Sequence, residues 1–341
     1  MKPICSQVTV RVPATSANLG SGFDSVGLAL DYCDELTFTL GEEARTGVGS
    51  AGADGPDLTV VIHGEGEADL PRDETHLVVS TFRKACQTFG LDQLPLSLEA
   101  CNRIPQARGM GSSAEAIVAG IAAAAAFAQP GELNRQAVFA MAAVIEGHPD
   151  NVAPAVFGGL TVSWNFQAAE RVGSVPIPDG QPLSQGYQTV QYPVADSLTA
   201  SVFVPDFELS TEAARHALPK TLPYQDAIAN ISRVGLLPAA MNPDFLATRA
   251  DPNALLFAAT QDMVHQPYRK ELMPASWALV EAMRAGGFAA AISGAGPCVL
   301  VLHQGGDPAL VRQLAQEELD SGHWRLLQLR VHPSGVQVER S

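Results

Sequence analysis

The sequence has few charged residues, no closely spaced cysteines and no long apolar run, and each shortage excludes a class of protein. Only 17% of its 341 residues are charged, and acidic side chains outnumber basic ones, so the formal net charge is −15. A field of this sign repels phosphate backbones, so nucleic acid is not an expected partner. The five cysteines are scattered without a Cys-x-x-Cys spacing and indicate neither a zinc site nor a disulfide framework.

Membrane and export signals are also missing from the sequence. The longest apolar stretch, residues 117–128, is far shorter than the ~20 residues that a helix needs to cross a bilayer. The first ten residues contain no apolar signal core. Free thiols are typical of a reducing compartment. We therefore expect a cytoplasmic protein without a membrane partner.

Segments with strand and helix periodicity alternate along the chain, which favours an α+β or α/β protein. Residues 168–197 are rich in Gly, Pro and Gln and show no period, so we place a domain boundary at their start, with domains at residues 1–167 and 168–341. Irregular structure is predicted for residues 13–27 and a surface turn for residues 41–57. Strands are predicted at residues 8–12, 36–40, 59–63, 96–102, 160–164, 200–205, 289–292, 298–303 and 324–331. Helices are predicted at residues 76–89, 112–128, 134–146 and 307–319, with helix-like runs from residues 211, 227, 253 and 275.

A glycine-rich turn precedes the most strongly predicted helix, residues 112–128. Its sequence is Gly109-Met110-Gly111-Ser112-Ser113. Glycines let the backbone approach a ligand closely, and the start of a helix offers free N–H groups and a partial positive charge to phosphate. No Gly-Lys-Ser or Gly-Lys-Thr follows, so this is not a Walker loop. A glycine turn with a serine N-cap would have the same sequence, and both interpretations stay open here.

Two further segments concentrate polar side chains. Asn18 and Asp24 lie in the Gly- and Ser-rich residues 12–27, where an amide and a carboxylate suit an ammonium and a hydroxyl group, although both residue types also stabilise ordinary turns. Glu146, His148 and Asn151 follow one another closely in residues 146–159. Mg²⁺ prefers oxygen ligands, which Glu146 and the serine hydroxyls could supply. A helix end with a Gly-His-Pro stop would have the same sequence.

Taken in order, these segments resemble the signatures of the galactokinase, homoserine kinase, mevalonate kinase and phosphomevalonate kinase superfamily. Residues 105–114 are similar to its phosphate-loop signature, with Met110 where leucine is usual. Residues 291–299 resemble its C-terminal glycine-rich signature. Residues 13–24 and 146–154 resemble the homoserine kinase branch, as do residues 209–215 and 266–269. Asn151 stands where mevalonate kinases carry an aspartate described as the general base, and an amide cannot accept a proton at neutral pH.

The resemblance, which runs from residue 10 to residue 299, implies the fold and the reaction. The fold would be α+β with two domains, an N-terminal ribosomal-protein-like β-α-β domain and a C-terminal ferredoxin-like domain, and ATP would bind between them. The reaction would be the ATP- and Mg²⁺-dependent phosphorylation of L-homoserine, a step of threonine biosynthesis. The sequence does not decide the oligomeric state, for which a homodimer is considered.

The resemblance also implies a role for each candidate residue. Arginine binds carboxylates through a bidentate fork, which suits an amino-acid substrate. Mg²⁺ would be held by Ser113 and Glu146. The substrate and catalytic residues would be Asn18, Asp24, His148, Asn151, Thr211, Arg215 and Arg269. The triphosphate would be wrapped by Pro105, Gln106, Ala107, Arg108, Gly109, Met110, Gly111, Ser112, Ser113, Ala114 and Glu115.

Three alternatives are weighed against this interpretation. Another kinase of the superfamily, acting on a different alcohol, is disfavoured by Asn151 and the two arginines. An inactive ligand-binding relative is disfavoured by the presence of both Ser113 and Glu146. An RNA-binding protein that shares the β-α-β domain is disfavoured by the net charge of −15.

Overall fold

The structure, a computed structural model, describes residues 1–41, 58–167, 185–248, 251–305 and 308–341. The surface turn predicted at residues 41–57 and the first part of the segment without period therefore lie outside the described residues, apart from Gly41. The described strands are β1 (Gln7–Asn18), β2 (Gly22–Leu40), β3 (Leu58–Gly64), β4 (Leu96–Asn102), β5 (Leu160–Gln167), β6 (Gln185–Tyr192), β7 (Leu198–Pro205), β8 (Ala289–Ile292), β9 (Val299–Gln304), β10 (Trp324–Leu329) and β11 (Gln337–Arg340).

The described helices accompany these strands, and a short 3₁₀ turn covers Lys270–Leu272. The α-helices are α1 (Leu77–Phe89), α2 (Ser112–Ala128), α3 (Arg135–Glu146), α4 (Val152–Phe157), α5 (Thr211–His216), α6 (Tyr224–Val234), α7 (Leu237–Met241), α8 (Pro243–Leu246), α9 (Pro252–Ala259), α10 (Gln266–Arg269), α11 (Pro274–Ala285), α12 (Pro308–Leu314) and α13 (Gln316–Asp320). Among the described residues, no helix combines the length and the apolar character needed to cross a bilayer.

The strands form two separate sheets. Seven described strands form the first, in the order β11-β1-β2-β4-β3, with β5 beside β2 and β6 beside β5. Four form the second, in the order β10-β7-β9-β8 with every pair antiparallel. Helices connect β7 to β8 and β9 to β10, so the second sheet has the β-α-β-β-α-β arrangement of ferredoxin-like domains. The predicted α+β class is therefore confirmed, whereas the division between residues 167 and 168 stays a prediction.

Helix α2 lies in the centre of the first core. From Ala116 to its end it is apolar on all sides, because it is enclosed between α1, α3 and the first sheet. Gly120 makes this packing possible, since a Cβ atom there would lie only 2.8 Å from the carbonyl oxygen of Val78 on α1. The close contact outweighs the cost of about 1 kcal/mol that glycine carries inside a helix. The packing fixes the N-terminus of α2 in place.

The prediction of an irregular loop at residues 13–27 is wrong for most of that segment. Strand β1 continues to Asn18 and β2 begins at Gly22, so only a tight turn separates them. The residues are small and polar, but they pair with one another across the sheet and are largely buried. Long-range pairing overrides the local turn propensity of Gly, Ser and Asn. Irregularity remains as two register shifts, after Pro13 and after Ala17.

Several other predicted elements agree with the structure. The helix at residues 112–128 and the strands at residues 96–102 and 289–292 have their predicted bounds. Asn134 caps α3, because its Oδ1 accepts a hydrogen bond of 3.0 Å from the backbone N–H of Ala137. The sequence did not predict β6, β11 or the short helices α4, α7, α8 and α10. The helix predicted at residues 307–319 is divided into α12 and α13, and its first residue lies outside the described part.

Candidate active site

A cleft with a volume of about 340 Å³ opens next to the start of α2, between the part of the chain that contains the first sheet and the part that contains the second. Most residues implicated by the sequence line it, and they come from both halves of the chain. The lining includes Asn18, Asp24, Gln106, Ala107, Gly109, Gly111, Ser112, Ser113, Glu115, Glu146, His148, Asn151, Thr211, Arg215 and Arg269. Pro105, Met110 and Ala114 are instead buried behind the glycine-rich turn.

The glycine-rich turn before α2 has the geometry that its sequence predicts. Gly109 and Gly111 have φ angles of 81° and 73°, in the left-handed region that favours glycine. The glycine-rich segment at residues 291–299 packs directly on this turn, and Ser293 Oγ donates to the carbonyl of Gly109 at 2.6 Å. The first N–H groups of α2 follow directly on this packed turn. Such groups can donate hydrogen bonds to phosphate oxygens. Ser113 is exposed at this end of the helix.

Gly111→Ala is expected to reduce both stability and the affinity for nucleotide. A Cβ atom at this position would lie 2.0 Å from Thr15 Oγ1 and 3.2 Å from Asn151 Oδ1. The left-handed backbone alone costs a non-glycine residue about 1–2 kcal/mol, and the steric conflict comes in addition. Gly90→Ala is the matched control, because Gly90 has a φ angle of 70° with open space around it. Equal losses of melting temperature and unchanged nucleotide binding in both variants would contradict the expectation.

Arg108 does not direct its side chain into the cleft. Its Nε donates to the carbonyl of Pro205 at 3.0 Å, and Nη2 donates to the carbonyl of Asp206 at 3.1 Å. A third bond, of 3.3 Å, reaches Glu208. The guanidinium therefore ties the glycine-rich turn to the end of β7, and only the backbone of Arg108 belongs to the turn itself.

Asp24 and Arg215 form a bidentate ion pair at the cleft. Two hydrogen bonds of 3.0 Å join the guanidinium to the two carboxylate oxygens, and the bond to Asp24 raises the pKa of Arg215. Asn18 holds Asp24 in position, because its Oδ1 accepts the Asp24 N–H at 3.0 Å while its Nδ2 donates to the carbonyl of Gly294 at 2.8 Å. The amide of Asn18 thus serves the turn, and the carboxylate–guanidinium pair faces the cleft.

Arg269 lies behind this pair and is only 2% exposed. Its Nε donates to the carbonyl of Ala214 at 3.0 Å, and its Nη1 lies 3.2 Å from Nδ1 of His265. Burial lowers the pKa of Arg269 and also that of His265. The neutral imidazole therefore accepts from the arginine at Nδ1 and donates from Nε2 to the carbonyl of Gly20, 2.8 Å away. His265 consequently links Arg269 to the turn at Gly20, which precedes the strand that carries Asp24.

A second group of charged side chains, Glu146, His148 and Asp150, also lines the cleft. Ser113 Oγ donates to Glu146 Oε2 at 2.7 Å, and His148 Nδ1 lies 2.7 Å from Asp150 Oδ1. Burial raises the pKa of Glu146, which the hydrogen bond from Ser113 partly offsets. Burial lowers the pKa of His148, but the hydrogen bond and negative charge of Asp150, with Glu146, raise it overall. The raised pKa favours the protonated ring of His148, in which Nδ1 donates to Asp150.

Ser113 and Glu146 have the donor chemistry that suits a magnesium ion. Their side chains lie together at the cleft, with Ser113 Oγ hydrogen-bonded to Glu146 Oε2 at 2.7 Å. A hydroxyl and a carboxylate are both hard oxygen donors, which Mg²⁺ prefers.

Asn151 is held by a residue that sequence reasoning missed. Thr15 Oγ1 donates to Asn151 Oδ1 at 2.7 Å. Thr15 is 1% exposed and lies on β1, in the segment predicted to be a loop. Its proximity to Asn151 depends on the sheet, and no local pattern indicates it. The same holds for His265, which precedes the arginine-bearing segment but has no distinctive neighbours in sequence.

Comparison with known proteins places this cleft in a family. The family model for the GHMP kinases N terminal domain matches residues 76–159, and the model for the GHMP kinases C terminal matches residues 243–321. Homoserine kinase from Leifsonia xyli subsp. xyli is 40% identical over 336 residues, which cover 98% of this chain and 92% of that protein. The chain belongs to the homoserine kinase family. Homoserine kinase from Clavibacter michiganensis subsp. michiganensis is 41% identical over 338 residues, which cover 98% of this chain and 94% of that protein.

Membership in the homoserine kinase family makes the protein an ATP-dependent kinase. The crystal structure of homoserine kinase from Cytophaga hutchinsonii has the same fold, with a TM-score of 0.75 over 99% of each chain at 24% identity. The two-domain α+β kinase fold that the sequence motifs imply is thereby confirmed. The cleft is lined by residues of both matched ranges, such as Ser113 and Arg269, and by residues outside them, such as Asp24 and Arg215.

Proposed function

We propose that the protein transfers the γ-phosphoryl group of ATP to the side-chain hydroxyl of L-homoserine, giving O-phospho-L-homoserine and ADP. The relatives that are about 40% identical over nearly the whole chain carry the name of this activity. O-phospho-L-homoserine is an intermediate of threonine biosynthesis. A cytoplasmic location belongs to the same proposal, since all five cysteines are free thiols.

The ion pair between Asp24 and Arg215 is the observation that carries the substrate assignment. It sets a carboxylate and a guanidinium side by side at the cleft, 3.0 Å apart. An amino acid presents the complementary pair, an ammonium and a carboxylate on one carbon. Insertion of the substrate would exchange the internal ion pair for two external ones, with Arg269 and Thr211 close to the carboxylate end. Mevalonate-type alcohols have no ammonium to offer Asp24.

The remaining residues serve the phosphoryl transfer. The N–H groups at residues 109–113 would hold the phosphates, and Asn151 with His148 would orient the hydroxyl. The hydroxyl oxygen bonds to the γ-phosphorus, the bond to the bridging oxygen of ADP breaks, and the hydroxyl proton is released. Ser113 and Glu146 would hold Mg²⁺, which supplies charge neutralisation for the moving phosphoryl group. Because the transition state is loose, positioning and charge contribute more than a general base.

Asn151→Ala is expected to lower kcat about 10- to 1000-fold, since orientation of the hydroxyl contributes at this scale. The shape of the pH dependence of kcat/KM should not change, because an amide does not titrate in this range. Thr15→Val should produce a smaller loss of kcat, since it removes only the 2.7 Å hydrogen bond that orients Asn151. Thr15→Ser should retain most activity. The disappearance of a basic limb from the profile of Asn151→Ala would contradict the assignment.

An assay that couples ADP release to a colour change tests the proposed substrate. L-homoserine should be the best acceptor, while 4-hydroxybutyrate, which lacks the ammonium, and 3-amino-1-propanol, which lacks the carboxylate, should lose about 30-fold or more in kcat/KM. L-serine should also react poorly, because its hydroxyl is one carbon short. Preference for mevalonate, or no turnover with any of these alcohols at saturating ATP, would show that the proposal is wrong.

A further inference from the structure

Three side chains with metal-binding chemistry converge outside the cleft. Asp31 and Cys33 lie on β2, next to the register shift that follows Pro13 on β1. The connection from β10 to β11 runs antiparallel to this part of β2. The N–H of Asp31 donates to the carbonyl of Arg330 at 2.9 Å, and the N–H of His332 donates to the carbonyl of Ala29 at 3.0 Å. A bulge of this kind redirects side chains, and here it leaves Asp31, Cys33 and His332 together.

The geometry of the three side chains is compact. One ligand atom from each, an oxygen, a sulfur and a nitrogen, all lie within 4.8 Å of one another. Cys33 is 5% exposed and His332 is 8% exposed, whereas Asp31 is exposed and leaves a path to solvent. Nδ1 of His332 is buried and has no hydrogen-bond partner among the described residues. An unsatisfied buried nitrogen of this kind costs about 1–3 kcal/mol and calls for an explanation.

We propose that Asp31, Cys33 and His332 form a site for a divalent transition metal of the Zn²⁺ class. Thiolate, imidazole and carboxylate are all established zinc ligands, and three protein ligands leave a fourth, tetrahedral position to water. The thiol gives up its proton to solvent when its sulfur binds the metal. Mg²⁺, which prefers oxygen ligands, is a poor occupant of this set, so the site and the magnesium site of the kinase reaction are chemically distinct.

The position of the site gives it a structural consequence. A metal held by all three residues would join β2 directly to the connection that leads into β11. Because only the folded chain brings residue 332 to residues 31 and 33, metal binding adds to the stability of the native state. The melting temperature should therefore rise with Zn²⁺ concentration. This inference depends on side chains outside the cleft and does not rest on the identity of the phosphoryl acceptor.

The first test is a Zn²⁺ titration of the whole protein against a chromophoric chelator in excess Mg²⁺, which occupies oxygen-only sites. We expect one Zn²⁺ per chain in the wild type. Co²⁺ in place of Zn²⁺ should give a thiolate-to-metal charge-transfer band that is absent from Cys33→Ser. Asp31→Asn, Cys33→Ser and His332→Gln should each weaken Zn²⁺ binding at least about 10-fold, the scale on which even supporting residues act. Cys101→Ser, at an exposed cysteine on β4, is the matched control and should bind as the wild type does.

Four results would contradict a metal site at Asp31, Cys33 and His332. Failure of the wild type to bind Zn²⁺ at micromolar concentration would overturn the proposal. Wild-type affinity for Zn²⁺ in Asp31→Asn would also overturn the proposal. Because residue 31 is exposed, this substitution should leave the fold intact, and a change in its affinity reports on the metal site. Binding that is lost in Glu146→Gln but kept in Cys33→Ser would assign the metal to the cleft instead. A rise in melting temperature that is the same in the wild type and Asp31→Asn would count against the site as well.

Discussion

Arg215→Ala is expected to raise the KM for L-homoserine about 30-fold or more while the KM for ATP stays within about twofold. Removing one partner of a charged pair in a binding site costs about 2–5 kcal/mol, equivalent to roughly 30- to 5000-fold. Arg215 is 38% exposed in its side chain, which favours the lower part of this range. Asp24 would still pair with the substrate ammonium in this variant, so the expected loss falls on the carboxylate end, where Arg269 and Thr211 would be the remaining partners. Initial rates with each substrate varied in turn measure both constants.

Companion variants separate recognition from general damage. Arg215→Lys should recover only part of the loss, since an ammonium cannot reproduce the planar fork that meets Asp24 at 3.0 Å twice. Arg312→Ala removes an exposed arginine on α12, outside the cleft, and should change neither constant. Arg269→Lys should behave like Arg215→Lys, with an added loss of stability because Arg269 is buried. A rise confined to the KM for ATP would assign these arginines to the triphosphate.

Glu146→Gln is expected to lower kcat about 100-fold or more at saturating Mg²⁺, with little change in either KM. The substitution keeps the shape of the side chain and an acceptor for Ser113 but removes the charge that would hold the cation. Neutralisation of the phosphoryl group by a metal contributes several kcal/mol and is strongest in the transition state, so the loss appears in kcat. Ser113→Ala should cost less, since water can replace a hydroxyl ligand. Single-turnover rates at several Mg²⁺ concentrations measure the loss at the phosphoryl-transfer step.

Stability distinguishes a metal role from a structural one. Burial raises the pKa of Glu146, so the folded protein binds its proton more tightly than the unfolded chain does. The ionised carboxylate therefore lowers stability as pH rises through this pKa, and glutamine removes that cost. We expect Glu146→Gln to melt no lower than the wild type near neutral pH without Mg²⁺. Glu132→Gln, at an exposed glutamate before α3, is the control. A large drop in melting temperature with near wild-type kcat would refute the metal role.

The parts of the fold that the sequence predicts correctly are those determined by interactions between residues close together in the chain. Helix α2 was predicted with its bounds because alanine favours helix and Pro130-Gly131 ends it. The turn at residues 109–111 followed from glycines whose left-handed backbone is a local property. The lengths of β1 and β2 were underestimated, because their polar residues adopt strand conformation only through pairing with each other. β6 and β11 were missed because their partners are distant in sequence.

The candidate site divides in the same way. Motif resemblance supplied the residues that line the cleft, including Glu146 and Asn151, but not their partners. The contact of Arg215 with Asp24 joins positions in different domains, so only the folded structure shows it. Arg108 illustrates the opposite case, because its place in the phosphate-loop signature suggests the cleft while its guanidinium binds the end of β7. Whether each residue has the proposed role stays a prediction that the variants above test.

The pairing of β11 with β1 has a consequence for how the protein behaves among its own copies. Without β11, residues 8–11 of β1 would present unpaired N–H and C=O groups beside a buried apolar face, which is a template for joining another chain. β11 covers these groups with only four residues, and two of them, Glu339 and Arg340, are charged and exposed. Arg340 also donates to the carbonyls of Ala126, Gln129 and Gly131 at the end of α2. Variants cut before residue 337 should therefore aggregate during expression even though every residue of the cleft is retained.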